Sequence, residues 1–167
     1  MQDVHAGKRI FTLGTSTRSF REFLEVLDAW GIRRVCDVRS FPTSRRYPHF
    51  SREALSSHLE EHGLDYRWMG ELLGGYRKGG YRVHMETPEF RKGIEELEKA
   101  AEETATAVVC AELLPWRCHR RFIAEALESR GWEVVHVLDA RRSWLPRASG
   151  LQTSLLPDGP ENGARPA

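Results

Sequence analysis

The chain has 167 residues, 40% of them hydrophobic, with 25 Lys and Arg against 24 Asp and Glu. That length favours one domain and is enough to bury a core without disulfide staples. A formal net charge of +1 excludes a global field steering the chain toward nucleic acid or anionic membrane, so any such binding has to be local.

Ile10 to Leu13 reads as a first strand, ended by Gly14-Thr15-Ser16-Thr17. Ser19 with Glu22 forms a capping-box pattern, and Phe20, Phe23, Leu24, Leu27 and Trp30 come after it at helical spacing. Gly31 stops that helix, and Ile32 to Val38 is a second strand. Ser51 starts another helix through Leu55 and Leu59, which Gly63 ends before a third strand from Leu64 to Trp68. Thr87-Pro88-Glu89 is a helix start with a cap, a proline and an acid in order, and Phe90, Ile94, Leu97 and Ala101 line one face of that helix. Ala105 to Ala111 is a fourth strand, Phe122 to Leu127 marks a last helix, and Trp132 to Leu138 is a fifth strand after Gly131.

Two stretches between these elements, Ser40–Phe50 and Gly70–Glu86, read as long loops rich in Arg, Gly and aromatic residues. Helices that end in glycine and pass into strands are expected of repeated β-α units. The expected fold is therefore a single three-layer α/β domain over residues 1–144. Its core is a mostly parallel, Rossmann-like sheet of about five strands, with helices on both faces. An order such as 3-2-1-4-5 would open a crevice between the carboxyl ends of strands one and four. From Leu145 the chain is rich in Pro and Gly, and residues 145–167 are expected to form a disordered tail. Three cysteines, no apolar signal core near the N-terminus and no run of 18 apolar residues point to a cytoplasmic chain with free thiols and no membrane role. Oligomeric state is not legible.

Candidate chemistry concentrates in Cys110–Arg120, which holds two thiols, a carboxylate, an imidazole and two guanidiniums. Cys118 near a helix start, beside Arg117 and Arg120, is a candidate nucleophile, with His119 or Glu112 as its base. A redox role ranks lower, because neither a C-x-x-C pair nor a placed resolving cysteine is visible. Zinc is a weaker reading: Cys110, Cys118 and His119, with His136 or Asp37, have the right chemistry but lack a short knuckle spacing. No cofactor is therefore expected, and His136 reads more simply as a strand histidine with a satisfied hydrogen bond.

Anion recognition is the best-supported role. The basic residues are 21 Arg against 4 Lys, a bias that an Arg-favouring genome would also produce. Arg39, Arg45, Arg46 and Arg120, with Thr15 and Ser16, would offer charge-assisted and backbone donors to a phosphate or carboxylate. Asp37 is a candidate general base, ribose binder or orienter of Arg39, and Glu112 a candidate proton carrier. Each has a plainer role as an arginine's ion-pair partner. The arginines interleaved with Tyr47, Phe50, Tyr76 and Tyr81 suit phosphates and stacked bases, and would equally suit an ordinary surface loop. The expected partner is a phosphate-bearing small molecule or a nucleic acid, bound by an enzyme or by a non-catalytic binding module.

Several of these segments resemble one known family. Gly14-Thr15-Ser16-Thr17, Asp37-Val38-Arg39-Ser40-Phe41-Pro42, Leu73-Gly74-Gly75, Cys110-Ala111-Glu112 and Cys118-His119-Arg120 are similar to motifs of the domain of unknown function 488 family. The likeness runs from about Ile10 to Leu138. It departs at Thr15, where many members have His, and in a shorter Gly75–Met85 segment. The resemblance implies a shared fold and a shared site, without naming a reaction.

Overall fold

The computed structural model describes residues 8–144. The expected disordered tail, 145–167, lies outside the described residues.

Strands β1 (Arg9–Gly14), β2 (Arg34–Asp37), β3 (Asp65–Trp68), β4 (Thr106–Cys110), β5 (Glu133–Val137) and β6 (Ser143–Trp144) form one sheet. Its order is β3-β2-β4-β1-β5-β6, parallel throughout except where β6 returns antiparallel to β5. This corrects the expected order: β4, not β1, sits beside β2. Hydrophobic runs mark β1 and β4 alike as strands buried on both faces, and nothing in such runs says which neighbour each takes.

Two helices, α1 (Phe20–Ala29) and α2 (Arg52–Glu61), cover one face of the sheet. Phe23, Leu27, Phe50, Leu55 and Leu59 pack there against Leu13, Val35, Ala107, Val109 and Val135. The other face carries α5 (Pro88–Glu103) and α6 (Arg120–Ser129), whose Ile94, Leu97, Ile123 and Leu127 meet Ile10, Cys36, Val108 and Val134. Alternate residues of β4 thus feed opposite cores, as the period of a strand requires.

The local signals hold. Ser19 accepts from the Glu22 N–H at 3.0 Å and Glu22 accepts from the Ser19 N–H at 2.9 Å, completing the capping box. Thr87 caps α5 through the Phe90 N–H at 3.1 Å. Gly31, Gly63 and Gly131 leave their helices at φ of 70°, 75° and 94°, a left-handed turn that glycine adopts without steric cost. The expected long loop 70–86 instead contains two single-turn helices, α3 (Gly70–Leu73) and α4 (Tyr81–His84), too short to show periodicity.

β1 leads into α1 on one face, while its neighbour β4 leads into α6 on the other. The connections part between these two strands, and a crevice opens at their carboxyl ends. Because β2 lies on the far side of β4, its carboxyl end borders the same crevice.

Candidate functional site

A cavity of about 770 Å³ occupies this crevice. The turn after β1 contributes Thr15, Ser16 and Thr17, and the segment after β2 contributes Arg39, Ser40, Phe41, Ser44 and Arg46. Gly75 and Tyr76 approach from the segment after α3, and Cys110, Glu112, Arg117, Cys118 and His119 form the wall after β4. The crevice therefore gathers most of the residues expected from sequence. Asp37, Arg45 and Arg120 do not line it. Arg45 is exposed at the surface, and Arg120 is fully buried behind the β4 wall.

The turn after β1 and the wall after β4 are fixed to each other by the backbone. The Thr15 N–H donates to the Cys110 carbonyl at 2.8 Å and the Ser16 N–H to the Ala111 carbonyl at 2.9 Å. Those two backbone donors are therefore spent within the fold. Ser16 adopts φ of 51°, which sets the turn tightly against the β4 wall. A Cβ on Gly14 would lie 2.0 Å from the Glu112 carbonyl oxygen, so only glycine lets these loops approach.

Asp37 is fully buried and already committed. Arg39 grips it with Nε at 2.8 Å and a terminal nitrogen at 2.7 Å, while the Arg39 N–H adds 3.1 Å. The Tyr66 hydroxyl donates at 2.5 Å to the oxygen that also accepts the Arg39 terminal nitrogen. Burial, then the Asp37 charge, raises the Tyr66 pKa, so the phenol stays a donor. Among the roles expected for Asp37, the geometry matches the orienter of Arg39: the pair holds the guanidinium at the cavity wall.

The chemistry centres on Cys118. Its Sγ lies 2.8 Å from Cys110 Sγ, 3.3 Å from the Arg120 N–H nitrogen and 3.7 Å from His119 Nδ1. His119 Nε2 lies 2.9 Å from the Val38 carbonyl. A carbonyl only accepts, so Nε2 carries a hydrogen and Nδ1 is the ring nitrogen that exchanges a proton with the Cys118 sulfur. Tyr81 supports that ring with centroids 5.4 Å apart, and a Cβ on Gly75 would reach 2.9 Å from Nδ1.

Arg120 adds charge from behind. It donates to the Thr12 hydroxyl at 3.1 Å and to the Glu112 and Leu113 carbonyls at 2.6 and 3.2 Å, and its Nε has no partner among the described residues. These partners are all neutral, and a buried guanidinium left so costs several kcal/mol unless an anion compensates it. The hydrogen bond from Cys110 lowers the Cys118 pKa, assisted by His119 and the Arg120 charge, and together they outweigh burial. Cys110 moves the opposite way: burial raises its pKa, and the adjoining Cys118 raises it further. The two thiols thus titrate as a pair, with Cys118 held low and Cys110 held high.

The Thr12 hydroxyl accepts from Arg120 and shares a 2.7 Å hydrogen bond with His136 Nδ1. His136 is thereby the hydrogen-bonded strand histidine expected from sequence. Among the described residues, no group of three or more His, Cys, Asp or Glu is arranged to hold a metal ion. No helix among them is long and apolar enough to cross a membrane.

Sequence reading missed the Val38 carbonyl, Ser40, Gly75 and Tyr81 as parts of this site. The Leu73-Gly74-Gly75 motif was the available signal, since two adjacent glycines imply a close approach, and both meet side chains of the site. No curated protein and no solved structure matches the chain at a significant level. A family model does match residues 19–127, which include the Asp37–Pro42 segment, the paired glycines and the Cys118-His119-Arg120 wall, and the chain belongs to that family, described as Domain of unknown function DUF488.

Proposed function

We propose that the crevice is the active site of a hydrolase or transferase acting on a phosphate-bearing substrate, nucleotide-like or nucleic acid, with Cys118 as nucleophile. The observation that carries this reading is the Cys118–His119 dyad, its tautomer fixed by Val38, inside a cavity lined by Arg39, Arg46 and Arg117. Nucleophile, base and orienting acceptor are the three parts that an activated thiol needs. Arg39, held by Asp37, and the long side chains of Arg46 and Arg117 bind the anion, while the hydroxyls of Thr15, Ser16 and Ser44 supply neutral donors.

The thiolate attacks the electrophilic centre and forms a bond to sulfur. The leaving group departs with its bonding pair and takes a proton from the His119 imidazolium. His119 then takes a proton from water or an acceptor hydroxyl, which displaces the sulfur and restores the thiolate. Glu112, half-buried on the same wall with one oxygen 3.4 Å from the Leu114 N–H, is a second proton carrier.

A thermal-shift screen with nucleotides, sugar phosphates and short oligonucleotides, followed by intact mass of quenched mixtures, tests the proposal. The expected result is a stabilising phosphate-bearing ligand whose effect is lost in Arg46→Ala, and a mass increase absent from Cys118→Ser. No stabilising ligand and no adduct would sink it.

A second reading, a non-catalytic nucleic-acid-binding module, draws on a different observation. Phe41 and Tyr76 stand 69% and 79% exposed at the cavity rim, their rings 5.6 Å apart, as bases stacking above a phosphate would use them. Oligonucleotide affinity that falls steeply with salt, and survives Cys118→Ser, favours this module.

A further inference from the structure

We propose that Cys110 and Cys118 are a redox-active dithiol, oxidised by hydroperoxides to an intramolecular disulfide across the wall of the crevice. The sulfurs are 2.8 Å apart, about 0.8 Å longer than a disulfide bond. Eight positions separate the two residues in the chain. The loop between them folds back through a short turn at Pro115–Arg117, which brings the second thiol onto the first. Spacing alone hid this: the pair has no C-x-x-C signature, yet its sulfurs already touch.

The two thiols differ as an attacking and a resolving cysteine must. Cys118 is half-buried, lines the cavity, and receives the Arg120 N–H at 3.3 Å in addition to the Cys110 contact. Cys110 is 3% exposed at the end of β4, which holds it on one side of Cys118. Both sulfurs border the cavity, and the thiolate, the form that reacts with peroxide, belongs to the more exposed partner.

Cys118 thiolate attacks one peroxide oxygen. The O–O bond breaks, a sulfenic acid forms, and hydroxide or alkoxide leaves and takes up a proton. Cys110 thiol then attacks the sulfenic sulfur, gives its proton to the departing hydroxyl, and water leaves as the S–S bond forms. Two electrons have passed from the thiols to the peroxide. A small dithiol reverses the oxidation by exchange, ending as its own disulfide.

The disulfide also removes the nucleophile from the crevice, so oxidation would switch off any Cys118 chemistry reversibly. The inference shares Cys118 with the proposed active site but does not need a phosphate-bearing substrate. Cys36 is an internal control: fully buried on β2, its thiol is pushed up to about 12 by burial and should stay reduced.

The test uses the full chain, reduced, desalted and treated with about one equivalent of hydrogen peroxide. Denatured thiol titration should fall from three free thiols to one and return to three after dithiothreitol. Trypsin cuts after Arg117, so the bond would join peptide 100–117 to peptide 118–120 under non-reducing conditions. In Cys110→Ser, dimedone should instead capture a sulfenic acid on Cys118. Three thiols remaining, a cross-link through Cys36, or over-oxidation of Cys118 without a cross-link would each overturn the proposal. Iodoacetamide reactivity of Cys118 in the same samples reads its nucleophilicity separately, so a failed cross-link does not count against the active-site reading.

Discussion

Cys118 receives hydrogen bonds from Cys110 and the Arg120 N–H, has a buried cation behind it, and faces His119 Nδ1 at 3.7 Å, which also lowers its pKa. That balance favours the thiolate, and it sets a pH signature. A thiol titrating near its ordinary value loses about tenfold in alkylation rate per pH unit below about 8.5. Cys118 should instead react with iodoacetamide at a nearly constant rate from pH 8 to 6, and His119→Ala should bring back a fall of about tenfold over that range, part of the roughly hundredfold fall of an ordinary thiol. A wild-type rate that tracks an ordinary thiol would refute the low pKa. Asp37 is a residue of another kind. Its carboxylate meets Arg39, the Arg39 N–H and Tyr66 in full burial, so Asp37→Asn leaves a guanidinium without its counter-charge. Urea denaturation should show a loss of about 3 kcal/mol, the usual cost of breaking a buried pair. An unchanged midpoint would mean that Arg39 finds another anion. The identity of these residues was legible in the sequence, and their distances were not. Asp37-Val38-Arg39 announced an acid beside an arginine, whereas the contact between Cys110 and Cys118 depends on an irregular loop with no period to read.

At the scale of elements, two close approaches hold the crevice together. The β1 and β4 ends meet at Gly14, where an added Cβ would lie 2.0 Å from the Glu112 carbonyl. Backbone cannot swing aside as a side chain can. Gly14→Ala should therefore pull apart the Thr15–Cys110 and Ser16–Ala111 hydrogen bonds and cost roughly 2–4 kcal/mol, read by thermal or urea unfolding. Gly75 meets a softer neighbour, the His119 ring at 2.9 Å, which can move. Gly75→Ala should leave global stability nearly intact while slowing Cys118 alkylation at pH 6 about fivefold, equivalent to losing a hydrogen bond worth about 1 kcal/mol. A variant that alkylates like wild type would show that His119 is not held by this contact. Capping residues and terminal glycines marked the long helices in the sequence because each answers a local backbone need. The strand order was not marked, because β1 and β4 are equally apolar and the choice of neighbour is made by long-range packing. The expected crevice survived that error: whichever of the two is central, β1 and β4 remain adjacent and their connections part to opposite faces.

Across the whole molecule, the site and the fold share one buried polar line: Cys118, Arg120, Thr12 and His136, running from the crevice to β5. Function at one end thus places a constraint on stability at the other. Burial, and then the Arg120 charge, depress the His136 pKa from 6.5 to about 3. The unfolded chain binds a proton near 6.5 and the folded chain does not until far lower, so between those values the unfolded state holds more protons. Stability from keeping His136 neutral is therefore fully present above pH 6.5 and drains away as pH falls toward 3, by up to about 1.4 kcal/mol per unit. His84, also lowered chiefly by burial, adds a change of the same sign. Glu98 and Asp139 have lowered pKa values, so their contribution is lost only below the ordinary carboxylate range. From pH 6.5 to 5 the histidines act together with Cys118, whose lowered pKa adds a slope of the same sign, and with Glu128, raised by burial, so only the difference between wild type and a His136 variant isolates His136. Urea unfolding across this interval should show a falling midpoint in the wild type. His136→Asn, whose side-chain oxygen can still accept from Thr12 but cannot titrate, should flatten much of that slope. Equal slopes in the two proteins would mean that His136 takes up its proton without unfolding the chain, and that Arg120 is not pressed against it in solution.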